Sequence, residues 1–273
     1  MAKKERLDVL LVERGFFDSR EKAKRAIMAG LVFSGSERLD KPGMKVDRLT
    51  ALEVKGLPTR YVSRGGFKLE KAIQDFQLSF ADKIVLDIGA STGGFTDCAL
   101  QHGAKLVYAL DVGYNQLDWK LRQDERVVVM ERTNFRYVTA DEFRYGLPQI
   151  ATIDVSFISL TLILPVLAMI IEEEGDVVAL VKPQFEAGKE RVGKKGIVRD
   201  RAVHVDVLER IAAFSLECGY DVCHLSYSPI TGAEGNIEFL LHLRFRGKGK
   251  RGEIEETVSV TTTVDDAHHT LLR

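Results

Sequence analysis

The chain has little sulfur chemistry to offer. Three cysteines in 273 residues, with no Cys-x-x-Cys pair and no histidine at zinc-ligand spacing, exclude both a disulfide framework and a structural zinc site. Cys98, Cys218 and Cys223 therefore suit a reducing compartment, and a cytoplasmic location is expected. Long apolar runs are also missing. The most apolar stretch, Ile158 to Ile171, is 14 residues long and is broken by Ser, Thr and Pro, whereas a membrane-spanning helix needs about 20. The basic start, Met1 to Arg6, runs into charged, amphipathic sequence without an apolar signal core, so neither secretion nor membrane insertion is expected. Net charge is nearly absent at -1, but that value conceals a split: residues 1–64 hold 15 Lys+Arg against 9 Asp+Glu, a surplus of +6, and the remainder carries -7. A small basic module precedes a mildly acidic body, and basic surface attracts polyanions through counterion release. With 45% hydrophobic residues, most of the chain has enough apolar surface to fold.

In the front module, Leu7, Leu10 and Leu11 give a short helical stripe that stops at Gly15. Asp18 offers an N-cap with Glu21 three residues on. Ala23, Ala26 and Ile27 then form the apolar face of a second helix ending at Gly30, while Arg20, Lys22, Lys24 and Arg25 occupy its other sides. Short strands are predicted at residues 31–33, 44–46 and 52–54. Arg6-Leu7-Asp8, Ser19-Arg20, Ala23, Ile27-x-x-Gly30-x-Val32 and Lys41-Pro42-Gly43 together resemble the S4 RNA-binding module over roughly residues 5 to 55. That resemblance implies an α+β module whose basic face lies on structured RNA, with Arg6, Arg20, Lys22, Lys24 and Arg25 as phosphate contacts.

From about Tyr61, after a short linker near Leu57 to Val62, strands and helices alternate, which predicts a parallel sheet covered on both faces. The strand Ile84 to Ile88 runs into the Gly-rich turn Asp87-Ile88-Gly89-Ala90-Ser91-Thr92-Gly93-Gly94-Phe95, and the next strand, Leu106 to Leu110, ends in Asp111. Missing side chains at Gly89, Gly93 and Gly94 would let a ligand approach the backbone, and Asp111 could accept both ribose hydroxyl hydrogen bonds. The NAD fingerprint Gly-x-Gly-x-x-Gly is absent, since Ser91 stands where its second glycine belongs. Asp87 would repel a pyrophosphate but could help orient a cofactor bearing an amino acid and a sulfonium, so S-adenosylmethionine fits better than a dinucleotide. Asn134 and Phe135, after the third strand, are expected near its adenine. The same turn spells Gly-x-Ser-x-Gly, the nucleophile elbow of α/β-hydrolases, with Ser91 as nucleophile and Asp154 plus His204 or His224 as nominal partners. That reading leaves Asp87 and Asp111 without a role.

Further strand ends deliver Asp154, followed by Val155-Ser156-Phe157, and Lys182 before Pro183. Ser63-Arg64-Gly65-Gly66-Phe67-Lys68 opens a helix before the first strand, and Gly235-Asn236-Ile237-Glu238-Phe239 begins the last hairpin strand. Tyr61-Val62-Ser63-Arg64-Gly65-Gly66-x-Lys68-Leu69, Asp87-x-Gly89-x-Ser91-Thr92-Gly93-Gly94-Phe95-Thr96, Asp154-Val155-Ser156-Phe157-Ile158-Ser159 and Val181-Lys182-Pro183-Gln184-Phe185-Glu186 resemble the TlyA group, which joins an S4 module to an FtsJ-type (RrmJ-like) methyltransferase domain. The resemblance extends to about Phe245. It implies a Rossmann-like α/β fold with a seven-stranded sheet, S-adenosylmethionine as cofactor and ribosomal RNA or ribosomal subunits as partner. It further implies that Lys68, Asp154, Lys182 and Glu238 form a Lys-Asp-Lys-Glu tetrad for 2'-O-methylation of ribose, with cytidines of 16S and/or 23S rRNA as targets. Asp87, Gly89, Ser91, Thr92, Gly93, Gly94, Phe95, Asp111, Asn134, Phe135 and Asp154 then line the cofactor site.

The segment from Glu186 to Arg201 carries Lys189, Arg191, Lys194 and Lys195, which with Arg64 are expected to clamp RNA beside the tetrad. A second basic run, Arg244 to Arg251, leads to a tail in which Thr263 could cap a short helix. The expected division is residues 1–60 for the RNA-binding module and linker, and 61–273 for the methyltransferase domain. Two further classes stay open at this point: a haemolysin, the label often given to this group, and a ribosome-binding factor without catalysis. Oligomeric state is not legible.

Overall fold

The computed structural model describes residues 4–14, 16–17, 19–35, 37–48, 50–55, 60–232 and 235–272. The chain forms two compact units, residues 1–60 with 269–273 and residues 61–268.

The smaller unit begins with β1 (Lys4–Arg6), α1 (Leu7–Glu13) and α2 (Arg20–Met28). Leu7, Leu10 and Leu11 share one apolar cluster with Ala23, Ala26 and Ile27, so the two sequence stripes become the facing sides of a helix pair. Gly15 and Asp18 lie outside the described residues. The N-cap of α2 is Ser19, whose side chain accepts from the Lys22 amide at 3.4 Å. β2 (Val32–Ser34) pairs antiparallel with β3 (Glu37–Arg38) and with β5 (Glu53–Val54), and β1 pairs with β4 (Lys45–Asp47). β2 and β4 start one residue beyond the apolar runs at 31–33 and 44–46. The reason is local: the amides of Leu31 and Met44 close the preceding turns, on Ala26 and Lys41 carbonyls at 3.0 and 2.9 Å. Of the expected linker, residues 57–59 lie outside the described residues.

The larger unit runs α3 (Gly66–Phe76), β6 (Ile84–Ile88), α4 (Gly94–Gln101), β7 (Leu106–Leu110), α5 (Trp119–Arg122), β8 (Val127–Met130), β9 (Ile150–Ile153), α6 (Leu164–Leu167), β10 (Asp176–Val181), α7 (Pro183–Glu186), α8 (Arg201–Glu217), β11 (Tyr220–Tyr227), β12 (Phe239–Phe245) and α9 (Val260–Leu271). Its sheet has seven strands in the order β8-β7-β6-β9-β10-β12-β11. Strands β6 to β10 are parallel, and β12 is antiparallel to both of its neighbours. Parallel strands covered on both faces read as continuous apolar runs, as Val85, Leu86 and Ile88 or Val177 to Val181 do here. The core joins Val85, Val107, Ile150, Val178 and Leu180 of the sheet to Leu69, Ala72 and Phe76 of α3. From β6 the chain moves outward to β7 and β8, then returns to the other side of β6 as β9. The reversal makes a switch point between the carboxyl ends of β6 and β9, where doubly wound sheets leave a crevice.

The tail differs from the sequence expectation. Thr263 lies inside the first turn of α9, its amide on the Ser259 carbonyl at 3.1 Å, and the Ser259 hydroxyl accepts from the Thr262 amide at 3.4 Å. Ser259 is therefore the capping group. The basic run before it is occupied by acids: Arg244 with Asp176, Arg246 with Asp221, Lys250 with Glu173 and Arg251 with Glu217. Among the described residues no helix is long and apolar enough to cross a membrane, and no cluster of three or more His, Cys, Asp or Glu side chains could hold a metal.

Candidate active site

The turn after β6 is tied to the end of β7. The amides of Gly89 and Ala90 donate to the Leu110 carbonyl, and the Ser91 amide donates to Asp111 Oδ2 at 2.8 Å. Asp111 Oδ1 accepts from the Gly113 amide at 2.7 Å. Each Asp111 oxygen thus keeps a lone pair, and the half-buried carboxylate can still accept from a vicinal diol. Ser91, with φ +48°, and Thr92 are exposed beside it. Asn134 is exposed after β8, and its side chain accepts from the Arg136 amide to cap a 3₁₀ turn over Phe135–Tyr137. Phe95 and Phe135 point inward, Phe95 into the sheet core.

The glycines of this turn also have a packing reason, because protein atoms fill the directions their side chains would take. A Cβ on Gly89 would lie 2.5 Å from the Asp154 carbonyl oxygen, one on Gly93 2.3 Å from Leu121, and one on Gly94 2.3 Å from Ser63 Oγ and 2.9 Å from the Gly66 amide. Gly89 lets β6 and the Asp154 loop meet, and Gly94 lets the first turn of α4 abut the start of α3. Asp87 is not a surface anion. It is 1% exposed, accepts from Thr96 Oγ1 at 2.7 Å and Thr152 Oγ1 at 3.1 Å, and burial pushes its pKa up to about 7. The charge that was to discriminate between cofactors is largely neutralised below that pH.

Four charged side chains from distant parts of the sequence converge across the switch point. Lys68 is the third residue of α3; Asp154 follows β9; Lys182 follows β10; Glu238 precedes β12. The pairing Val181 with Phe239 puts Lys182 and Glu238 at adjacent register positions of one antiparallel ladder. Lys68 Nζ donates to Glu238 Oε2 at 2.7 Å and lies 3.5 Å from Asp154 Oδ2. Lys182 Nζ lies 2.5 Å from Asp154 Oδ1 and 3.2 Å from Ser156 Oγ. Both lysines are 8% exposed and Glu238 is 3% exposed. Ions this deep persist only when paired, and two cations with two carboxylates make a neutral set. Burial alone would raise the Asp154 pKa, but the Lys68 and Lys182 ammoniums outweigh it and hold the group below the usual aspartate range.

Several supporting residues escaped the sequence reading. Asp97, buried on α4, accepts from the Val62 amide at 2.9 Å and fixes the approach to α3. Glu186 accepts from Ser159 Oγ at 2.6 Å and the Leu160 amide at 2.8 Å, pinning the loop that carries Asp154; burial raises its pKa. Asn236 accepts from the Val198 amide and donates to the Gly196 carbonyl, both at 3.0 Å, so the basic loop is tethered two residues before Glu238. Phe157, with φ +64° and 90% exposed, stands next to Ser156 and contacts the Phe185 ring at a centroid distance of 4.9 Å. Glu186 and Asn236 lay within quoted motifs, but a motif does not say which of its members points where.

The basic residues assigned to RNA are spread over both units. Lys189, Lys194 and Lys195 are exposed on the 189–199 loop, and Arg64 is exposed before α3. Arg191 is tied to Asp206 at 2.6 Å. In the smaller unit Lys22 and Arg25 are exposed and Lys24 half-buried on α2, while Arg6 and Arg20 both bind Asp8. The hydrolase alternative fails on geometry. His224 lies on β11, four strand positions from β6, about 19 Å at ~4.8 Å per strand, and pairs with His242. His204 is buried on α8 against His268 and the Val198 carbonyl, where burial lowers its pKa to about 4. Asp154 is occupied by two lysines. Among the described residues no histidine is hydrogen-bonded to Ser91.

Residues 61–245 match the family model of FtsJ-like methyltransferases, and residues 5–48 match that of the S4 domain. The chain is 66% identical over 270 residues to a Bacillus subtilis protein named "Putative rRNA methyltransferase YqxC", covering 99% of this chain and 96% of that one. It is 43% identical over 245 residues to the Mycobacterium tuberculosis "16S/23S rRNA (cytidine-2'-O)-methyltransferase TlyA", covering 89% and 91%. A solved structure described as "Putative hemolysin from Streptococcus thermophilus" is similar with a TM-score of 0.77 at 56% identity, over 99% of this chain and 98% of that one.

Proposed function

The chain belongs to the FtsJ-like methyltransferase family and carries an S4 domain, and from that premise we propose that it methylates ribose 2'-hydroxyls of ribosomal RNA, at cytidines of 16S and/or 23S rRNA. The observation that carries this reading is the buried network of Lys68, Asp154, Lys182 and Glu238 at the carboxyl ends of the strands. Such a site suits a nucleophile that must lose a proton in a water-poor setting. S-adenosylmethionine supplies the electrophilic methyl group on a sulfonium. Asp111 is the acceptor for its ribose hydroxyls, and the exposed Ser91 and Thr92 backbone borders the same crevice. Asn134 lies on the adenine side.

A ribose hydroxyl is a weak nucleophile at neutral pH, so the site must take its proton while holding the oxygen in line with the methyl group. Lys182 is the proton acceptor, through Nζ: the ammonium paired with Asp154 must first give its proton to solvent before the amine takes one from the hydroxyl. Lys68 keeps a second positive charge beside the developing alkoxide, and Asp154 and Glu238 orient the two lysines rather than abstract the proton. Phe157, exposed next to Ser156, offers a stacking face for a base turned toward the site. The S4 unit and the 189–199 loop supply phosphate contacts, and ribosomal RNA as substrate places the reaction in the cytoplasm.

Purified protein incubated with labelled S-adenosylmethionine and separate 30S and 50S subunits, followed by mapping of 2'-O-methylated nucleotides, tests the reaction. Transfer to neither particle nor to free rRNA would leave a binding factor. Lys182→Ala and Lys182→Arg should each lower transfer by about 10² or more, the usual worth of a general base, with cofactor affinity retained. Substantial activity in either removes Lys182 from the base role. Lysis of erythrocytes that survives both substitutions would point to the haemolysin class instead.

A further inference from the structure

Asp8 is the one fully buried carboxylate described in the smaller unit, and its partners are two of the arginines assigned to RNA. Arg6 grips it with a fork, Nε to Oδ1 at 3.0 Å and Nη2 to Oδ2 at 3.2 Å, and Arg20 Nη2 donates to Oδ2 at 2.8 Å. The Val9 amide also donates to Oδ1, at 3.1 Å. Burial would raise the Asp8 pKa, but the hydrogen bonds and charges of Arg6 and Arg20 bring it down to about 2, so the carboxylate is ionised throughout the working range. Both arginine side chains stay exposed, at 44% and 49% of their surface. Each carries five N–H donors and uses only one or two on Asp8. Arg6 lies at the end of β1 and Arg20 at the start of α2, so a single carboxylate fixes the relative placement of side chains from two elements.

We propose that Asp8 is a positioning residue for RNA binding: it holds Arg6 and Arg20 as one preorganised clamp whose outward donors meet successive phosphates. The proposal rests on the RNA-binding reading of this unit. Its physical content is that two long side chains already ordered in the free protein lose little rotamer freedom on binding. The outcome expected from charge alone has the opposite sign. Removing a carboxylate from a basic surface raises its positive charge and, through counterion release, should strengthen binding to a polyanion.

The test is equilibrium binding of the full chain to 30S and 50S subunits lacking 2'-O-methylation, at two salt concentrations. Asp8→Asn replaces one acceptor oxygen by a donor whichever way the amide turns, so it sets donor against donor at the clamp. It should weaken binding about 10-fold and raise KM for the subunit with kcat at saturation retained. Its salt dependence should be no shallower than that of the unmodified protein. In the background Arg6→Ala with Arg20→Ala, adding Asp8→Asn should change binding by less than about 3-fold, because both side chains through which Asp8 acts are then gone. Arg6→Lys with Arg20→Lys keeps every charge and a partner for Asp8 but loses the fork, and should also bind about 10-fold more weakly; it decides the matter if Asp8→Asn does not fold. Unchanged or tighter binding by Asp8→Asn, or wild-type binding by the double lysine variant, overturns the proposal. Absence of subunit binding by the unmodified protein overturns instead the RNA reading on which it stands.

Discussion

Replacing Asp87 by asparagine should reverse its effect on stability between acid and alkaline pH. In the folded protein this carboxyl lies beneath the turn after β6, 1% exposed, with Thr96 and Thr152 hydroxyls as its hydrogen-bonding partners. Burial, with a smaller contribution from the nearby Asp154 charge, raises its pKa from 3.8 to about 7. Ionising it in place therefore costs about 4 kcal/mol relative to the unfolded chain, at 1.36 kcal/mol per pKa unit. Between pH 4 and pH 7 the unfolded chain has lost the proton while the folded protein keeps it, so unfolding releases a proton and stability falls as pH rises. Integrated over that window, the loss is about 3 kcal/mol. Asparagine does not titrate. Its oxygen can accept from one threonine while its amide hydrogens face the other, a mismatch of about 1–2 kcal/mol. Asp87→Asn should thus be less stable than the unmodified protein near pH 4.5 and more stable at pH 8. Chemical denaturation of both proteins at pH 4.5, 6, 7 and 8 reads the difference, in which shifted groups not coupled to Asp87, such as Asp8 and Glu186, cancel. A gap constant within about 0.5 kcal/mol over that range would falsify the assignment, because it would mean that Asp87 has the same protonation in both states.

The packing account of the Gly-rich motif predicts that Gly94→Ala lowers stability by about 1–3 kcal/mol, the cost of overpacking, and reduces transfer by displacing α3 and Lys68. Adding Ser63→Ala removes the nearest clashing atom and should recover part of both losses in thermal melts and methyl-transfer assays; no recovery would mean that the glycine serves the ligand. Asn236→Ala frees the 193–198 loop from two hydrogen bonds of 3.0 Å. It should raise KM for ribosomal subunits several-fold with a smaller change in kcat, and steady-state kinetics with equal losses in both would count against a tether. Phe157→Ala removes an exposed ring, so thermal stability should move little while RNA binding weakens by about 1–3 kcal/mol, the usual worth of a base stacked on an aromatic side chain. Unchanged affinity in a filter-binding assay excludes the stacking role.

What was legible in the sequence was whatever depends on period and on strand ends. The helical stripes at Leu7, Leu10 and Leu11 and at Ala23, Ala26 and Ile27, the apolar runs of β6, β7, β9 and β10, and the acidic or basic residue closing each run were all set by short-range pattern. Side-chain alternation and burial on both faces of a parallel sheet leave few other ways to arrange such runs. Locations that depend on a single turn were less legible: Thr263 has the chemistry of a cap but lies within α9, and a cap is defined by where the backbone leaves helical geometry.

By itself, then, the sequence determined the two-part organisation and the alternation of strands and helices in the larger part, while the seven strands and the four charged residues followed from its resemblance to a family. Only the tertiary structure decided what those residues touch. It assigned Gly89 and Gly94 to contacts between protein segments, buried Asp87 so that its carboxyl keeps its proton up to about pH 7, and closed Lys68, Asp154, Lys182 and Glu238 into one buried ion network. It also joined Arg6 and Arg20 through Asp8. The physical reason is range. Periodicity is fixed by backbone geometry over a few residues, whereas burial and charge pairing depend on groups as far apart as Lys68 and Glu238, which sequence separation leaves unrelated until the sheet forms.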